Sequence, residues 1–151
     1  MTQAMARYLA LILLALPGTV RAGDVCREID ATQGWQRADY PAGMVGDVQV
    51  TGTWTASDGT HAPVGAPGHL EAEADRIEDS AALGALLFEI TLGEASHRGS
   101  WALFKTMLDE AGAFRMDSSE SGARLRFRIN ESDDGLSDNA GALTVCMHYL
   151  D

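Results

Sequence analysis

The sequence predicts an all-β protein, an antiparallel β-sandwich carrying one short helix. Leu125, Phe127 and Ile129 alternate with Arg124, Arg126 and Arg128, and Leu143, Val145, Met147 and Tyr149 alternate with Thr144, Cys146 and His148. A period of two is the mark of a half-buried strand, because successive side chains leave opposite faces. Glycine and proline cut the rest of the chain into short pieces joined by turns, a pattern of sandwiches rather than of helical bundles.

A short strand-like piece follows Cys26, and then come Gly34-Trp35 and a turn at Pro41-Ala-Gly43. Asp47 to Trp54 is a strand candidate, with Val48, Val50, Gly52 and Trp54 sharing one face. Gly59, Pro63, Gly65, Pro67 and Gly68 break any regular element between Ser57 and Gly68, which predicts a long surface loop. Glu71 to Asp79 sets five acids against Arg76 and reads as a solvated stretch without chemistry. Leu83 to Leu92 is the most hydrophobic segment outside the N-terminus, and Leu86, Phe88, Ile90 and Leu92 on one face predict a central strand. From Ser100 to Ala111, Trp101, Phe104, Met107 or Leu108, and Ala111 make a helical stripe behind a Ser100 cap. Ala113 to Met116 predicts one more strand before a turn at Ser118 to Gly122.

The N-terminus has the layout of a secretory signal. Arg7 supplies the positive region, Leu9 to Leu16 the apolar core and Val20-Arg-Ala22 the cleavage site. The apolar run is shorter than the roughly 20 residues that span a bilayer, and Pro17-Gly18 interrupts it, so no membrane span is expected after signal removal. The expected organisation is a signal peptide at 1–22 and one β-sandwich domain at 23–151, periplasmic or secreted. Removing the signal takes Arg7 and Arg21 and no acid, leaving nine basic against 22 acidic residues, a net charge of −13 instead of −11. That balance argues against nucleic acid as a partner. The two cysteines, Cys26 and Cys146, stand near the two ends of an exported chain, and a disulfide joining the first and last strands is expected. Closing so long a loop stabilises by roughly 4 to 5 kcal/mol in the chain-entropy model.

No catalytic motif emerges. His61, His69, His97 and His148 show no HExxH or paired metal spacing, no GxSxG elbow is present, and a noncatalytic protein is expected. Trp35, Trp54 and Trp101 have the chemistry to stack on sugar rings, although burial is the commoner fate of tryptophan in a sandwich, and Trp54 is expected in the core.

The loop between the last two strands is rich in oxygen. Asn130, Glu131, Asp133, Asp134, Asp138 and Asn139 surround Gly135, with Gly141 just beyond. Calcium takes six to eight oxygens from carboxylates, amides and carbonyls, which this loop can offer. A solvated acidic hairpin turn has the same composition, and composition does not decide between the two.

Gly84-Ala-Leu-Leu-Phe-Glu-Ile90 followed by Gly122 to Val145, with Asn130-Glu-Ser-Asp-Asp-Gly-Leu-Ser-Asp-Asn139 at its centre, resembles the PA-IL-type calcium-dependent galactose-binding lectins. The resemblance implies a jelly-roll, galactose-binding-domain-like sandwich. It places that family's chelating aspartate on Glu131, a backbone-carbonyl ligand on Gly135, two amide ligands on Asp138 and Asn139, and a further carbonyl ligand near Asp58. It implies calcium as the cofactor and a carbohydrate, galactose-type in the family, bound through Glu131, Asp138 and Asn139. The chain departs from the pattern in three ways: Glu131 is one methylene longer than aspartate, Asp138 replaces an amide, and no segment matches the His-Pro-x-Gln that helps hold galactose. The alternative is a structural or protein-interaction module that kept the fold and lost the sugar site.

Overall fold

The computed structural model describes residues 23–57, 61–70, 75–116 and 124–151. The expected signal at 1–22, Asp58, Gly59, part of the acidic stretch and the turn from Ser118 to Gly122 lie outside these residues. Among the described residues the strands are β1 (Gly23–Asp30), β2 (Gln36–Arg37), β3 (Gly43–Thr55), β4 (Leu86–Leu92), β5 (Ala95–Ser100), β6 (Phe114–Met116), β7 (Arg124–Ile129) and β8 (Ala140–Tyr149). One α-helix, α1 (Trp101–Ala111), follows β5, and a 3-10 turn at Asp133–Asp138 lies between β7 and β8.

The protein is all-β, with two four-stranded antiparallel sheets ordered β1-β8-β3-β6 and β2-β7-β4-β5. The alternation in β7 and β8 decides which side chains lie between them. Leu125, Phe127 and Ile129 from one sheet join Leu143, Val145, Met147 and Tyr149 from the other in a single core, each at most 2 % exposed. Burying one such side chain contributes about 1.5 to 3 kcal/mol. Trp54 enters this core as expected, and its indole N–H donates to the Gly84 carbonyl at 2.7 Å, so its burial strands no polar atom. Tyr40 and Tyr149 do the same with the carbonyls of Val145 and Pro41.

Cys26 and Cys146 stand opposite each other in the β1–β8 register and form the expected disulfide. The α1 helix begins and ends as its sequence dictates. The Ser100 hydroxyl accepts from the Leu103 N–H, and Gly112, at φ 74°, donates its N–H to the Leu108 carbonyl. Phe104 and Leu108 are its buried residues, and Lys105 reaches Asp47 of β3 at 2.8 Å. Among the described residues, no helix is long and apolar enough to cross a membrane.

Two features differ from expectation. The two-residue β2 is too short to show a period. β4 begins at Leu86 and is buried on both faces: Leu86 and Phe88 enter the main core, while Leu87 packs with Ala81, Ala85 and Trp35 on the outer face. Glu89, also on that outer face, is only 5 % exposed.

Candidate functional site

The loop from β7 to β8 is assembled by hydrogen bonds made within the protein. Asn130, fully buried, has an oxygen-rich neighbourhood in the sequence but a different task in the fold. Its Oδ1 accepts from the N–H groups of Ile77 and Glu78, and its Nδ2 donates to the carbonyls of Glu78, Ala81 and Ala82. Its backbone pairs with Ala85 and Gly84. Asn130 therefore clamps residues 77–85 to the end of β7, and its amide oxygen already has two donors. Leu136, 7 % exposed, anchors the 3-10 turn into the core.

Glu131 follows and is 3 % exposed. Its Oε1 accepts from the Ser57 N–H at 2.9 Å and the Ser57 hydroxyl at 3.3 Å, and its Oε2 accepts from Asn139 Nδ2 at 2.7 Å. Ser57 sits at φ 54°, the one non-glycine residue with positive φ among the described residues. A backbone angle of this kind is uncommon outside glycine and clusters at sites the surroundings hold in place. Asn139, 6 % exposed, also donates to the Ala31 carbonyl at 3.1 Å, and its Oδ1 is buried without a hydrogen-bond partner. Buried amide oxygens are seldom left unpaired, because desolvation then costs about 1 to 3 kcal/mol.

Gly135 is tied to Glu131 by space. A Cβ there would stand 2.7 Å from Glu131 Oε1, so only glycine lets the longer acidic side chain lie across the turn. Gly135 does not use the positive-φ region open to glycine, whereas Gly141 does, at φ 89°. A Cβ on Gly141 would also meet the Thr53 carbonyl at 2.7 Å, where β8 starts against β3.

The structure thus brings Glu131, Gly135 and Asn139 together and adds Ser57, which the sequence did not single out. The Asp138 side chain is exposed, as is that of Asp134, and Asp133 pairs with Arg128 at 2.8 Å. Asp58, the neighbour of Ser57, lies outside the described residues. Among the described residues no three His, Cys, Asp or Glu side chains converge as a metal cluster. The oxygens available to a hard cation are of another kind: one carboxylate, the unpaired amide oxygen of Asn139 and loop carbonyls.

A second polar group lies on the outer face of β7 and β4. Arg128, expected on a solvated face, is 4 % exposed; its Nη2 donates to the Glu131 carbonyl at 2.7 Å and its Nε to that of Ile129. Its guanidinium lies 5.9 Å from the Trp35 ring centre, with those of Arg98 and Arg126 at 5.0 and 5.6 Å. Glu89 bonds both Arg126 and Arg98. Burial alone would raise its pKa, but the hydrogen bonds and charges of Arg126 and Arg98 outweigh it and hold the carboxyl below its ordinary value. The alternation of arginines in β7 marked this face, yet nothing in the sequence tied it to Trp35 or Glu89. His69 also has an unpaired buried Nε2 and lies 4.8 Å from His61; burial, then the neighbouring His61, lowers its pKa. No protein-family model matches the chain, and no curated protein is similar to it beyond chance.

Proposed function

We propose that this is an exported, noncatalytic carbohydrate-binding domain of the jelly-roll, galactose-binding-domain-like type, whose β7–β8 loop holds calcium and binds sugar through it. The observation that carries the reading is the buried, unpaired Oδ1 of Asn139 beside the Glu131 carboxylate, with Gly135 leaving that carboxylate room. An amide oxygen and a carboxylate are hard-cation ligands, and both belong to the set that the resemblance to the PA-IL-type lectins implies. Glu131, Asn139, the Gly135 carbonyl and Asp138 would hold the ion, with Asp58 adjoining Ser57 as a further source of oxygen. A calcium ion incompletely wrapped by protein can exchange water for a vicinal diol, which is the chemistry it supplies toward a sugar. Binding to a glycan array that requires calcium and disappears with chelator is the expected result. Chelator-insensitive or absent glycan binding by folded, calcium-loaded protein contradicts the reading.

A specific observation favours a second reading. Three protein donors already satisfy the Glu131 carboxylate, which suits a staple joining β3, β7 and β8 in a structural or protein-interaction module. In that case calcium leaves the melting temperature of the native protein unchanged, and Glu131→Gln, which sets an amide NH2 against one of those donors, lowers it.

A further inference from the structure

His61 and His69, which carry no metal-site spacing in the sequence, meet in the fold. Their ring centres lie 4.8 Å apart, with the ring planes tilted by 46°. Both rings are half-buried, and backbone bonds hold the chain between them. Val64 and Trp54 exchange N–H to carbonyl bonds, the Gly68 N–H donates to the Gly65 carbonyl, and the His69 N–H donates to that of Leu83 at 2.8 Å. The two imidazoles are therefore presented by a pinned segment, as a ligand pair must be.

The chemistry at this contact is incomplete. His69 Nε2 is buried with no hydrogen-bond partner among the described residues, and a buried polar atom left so costs about 1 to 3 kcal/mol. A ring contact alone leaves that nitrogen unpaired, whereas an ion between the rings gives it a partner. Zinc held by two imidazoles, each nitrogen about 2.0 to 2.1 Å away, sets the ring centres about 5 Å apart, close to the spacing here. Neutral imidazole is a ligand of borderline divalent ions such as zinc, copper and nickel. Burial, then the neighbouring His61, holds the His69 pKa below its ordinary value, which keeps the ring neutral at neutral pH. The chain's net charge of −11 favours a cation, and no thiol competes for it, since both cysteines are in the disulfide.

We propose that His61 and His69 form a binding site for a borderline divalent metal ion of the zinc type, held by one nitrogen of each ring and by water at its remaining positions, with the His61 ring turning to admit it. The site does not depend on the calcium loop, which offers carboxylate and amide oxygens. Zinc is the probe, and isothermal titration, thermal melting and the imidazole C–H magnetic resonance signals of native protein are the readouts. One zinc per chain is expected, with a rise in melting temperature and movement of the His61 and His69 signals while those of His97 and His148 stay in place. His61→Ala and His69→Gln should each weaken binding at least tenfold, and replacing His97 and His148 together by alanine should leave it unchanged. Should His69→Gln fail to fold, His61→Ala and the native signals still decide. Binding that survives His61→Ala, or zinc that moves only the His97 or His148 signals, overturns the proposal. So does the absence of binding by folded native protein at submillimolar zinc.

Discussion

At its C-terminal end β7 runs into a loop where the Asn130 amide makes five hydrogen bonds to residues 77–82, while at its N-terminal end Leu125 faces a cavity with almost no polar atom. Directional bonds hold the first region, and each residue there has a geometric reason to be what it is. Contact and shape hold the second, where many apolar residues would serve equally. The difference teaches where substitutions should be severe: polar losses at the loop should cost far more than apolar additions at the cavity.

The largest effect is expected for Asn130→Ala. It leaves two N–H groups and three carbonyls without their partner, and about 3 kcal/mol of stability should be lost in urea unfolding. A loss below about 1 kcal/mol would mean water replaces the clamp and would erase the contrast. Gly135→Ala should come next, at about 1 to 3 kcal/mol, because its Cβ must displace Glu131 Oε1 from 2.7 Å. Restoring stability by adding Glu131→Asp, which shortens the side chain, would sharpen that assignment.

Glu89→Gln probes the arginine face between the two regions. About 1 to 2 kcal/mol is expected at neutral pH, moderated because the Arg98 and Arg126 side chains are 45 % and 43 % exposed. The pH dependence has a definite sign. A carboxyl whose folded pKa lies below its ordinary 4.5 contributes stability that is present above 4.5 and lost as the pH falls through the folded value. The gap between native and Glu89→Gln protein should therefore be flat near neutrality and close in acid. Ala111→Phe should be smallest, within about 0.5 kcal/mol of native, since it adds apolar surface at an exposed position next to an unfilled cavity.

The sequence made the sheets legible because period-two alternation is local: Leu125, Phe127 and Ile129, like Leu143, Val145 and Met147, point where their spacing says. The α1 cap at Ser100, the disulfide and the burial of Trp54 were legible for similarly direct reasons. The convergence of Glu131, Gly135 and Asn139 follows from a short loop pinned by Leu136, but Ser57 was not legible, since it arrives from 74 residues away. Asn130 looked like a ligand because sequence shows its oxygen and hides the donors that occupy it. Arg128 looked solvated because alternation marks faces without saying what covers them, and nothing in the sequence linked Glu89 to its arginine partners. The cavity left no sequence mark, because apolar residues around a void read the same as those in a filled core.

Calcium titration of thermal unfolding tests the proposed cation loop most directly. At a hundredfold excess over Kd, native protein should gain about 2.7 kcal/mol and melt roughly 5 °C or more above the chelated sample, with the gain lost in Glu131→Gln. A melting temperature that does not move with millimolar calcium would contradict the claim and leave the loop a structural staple.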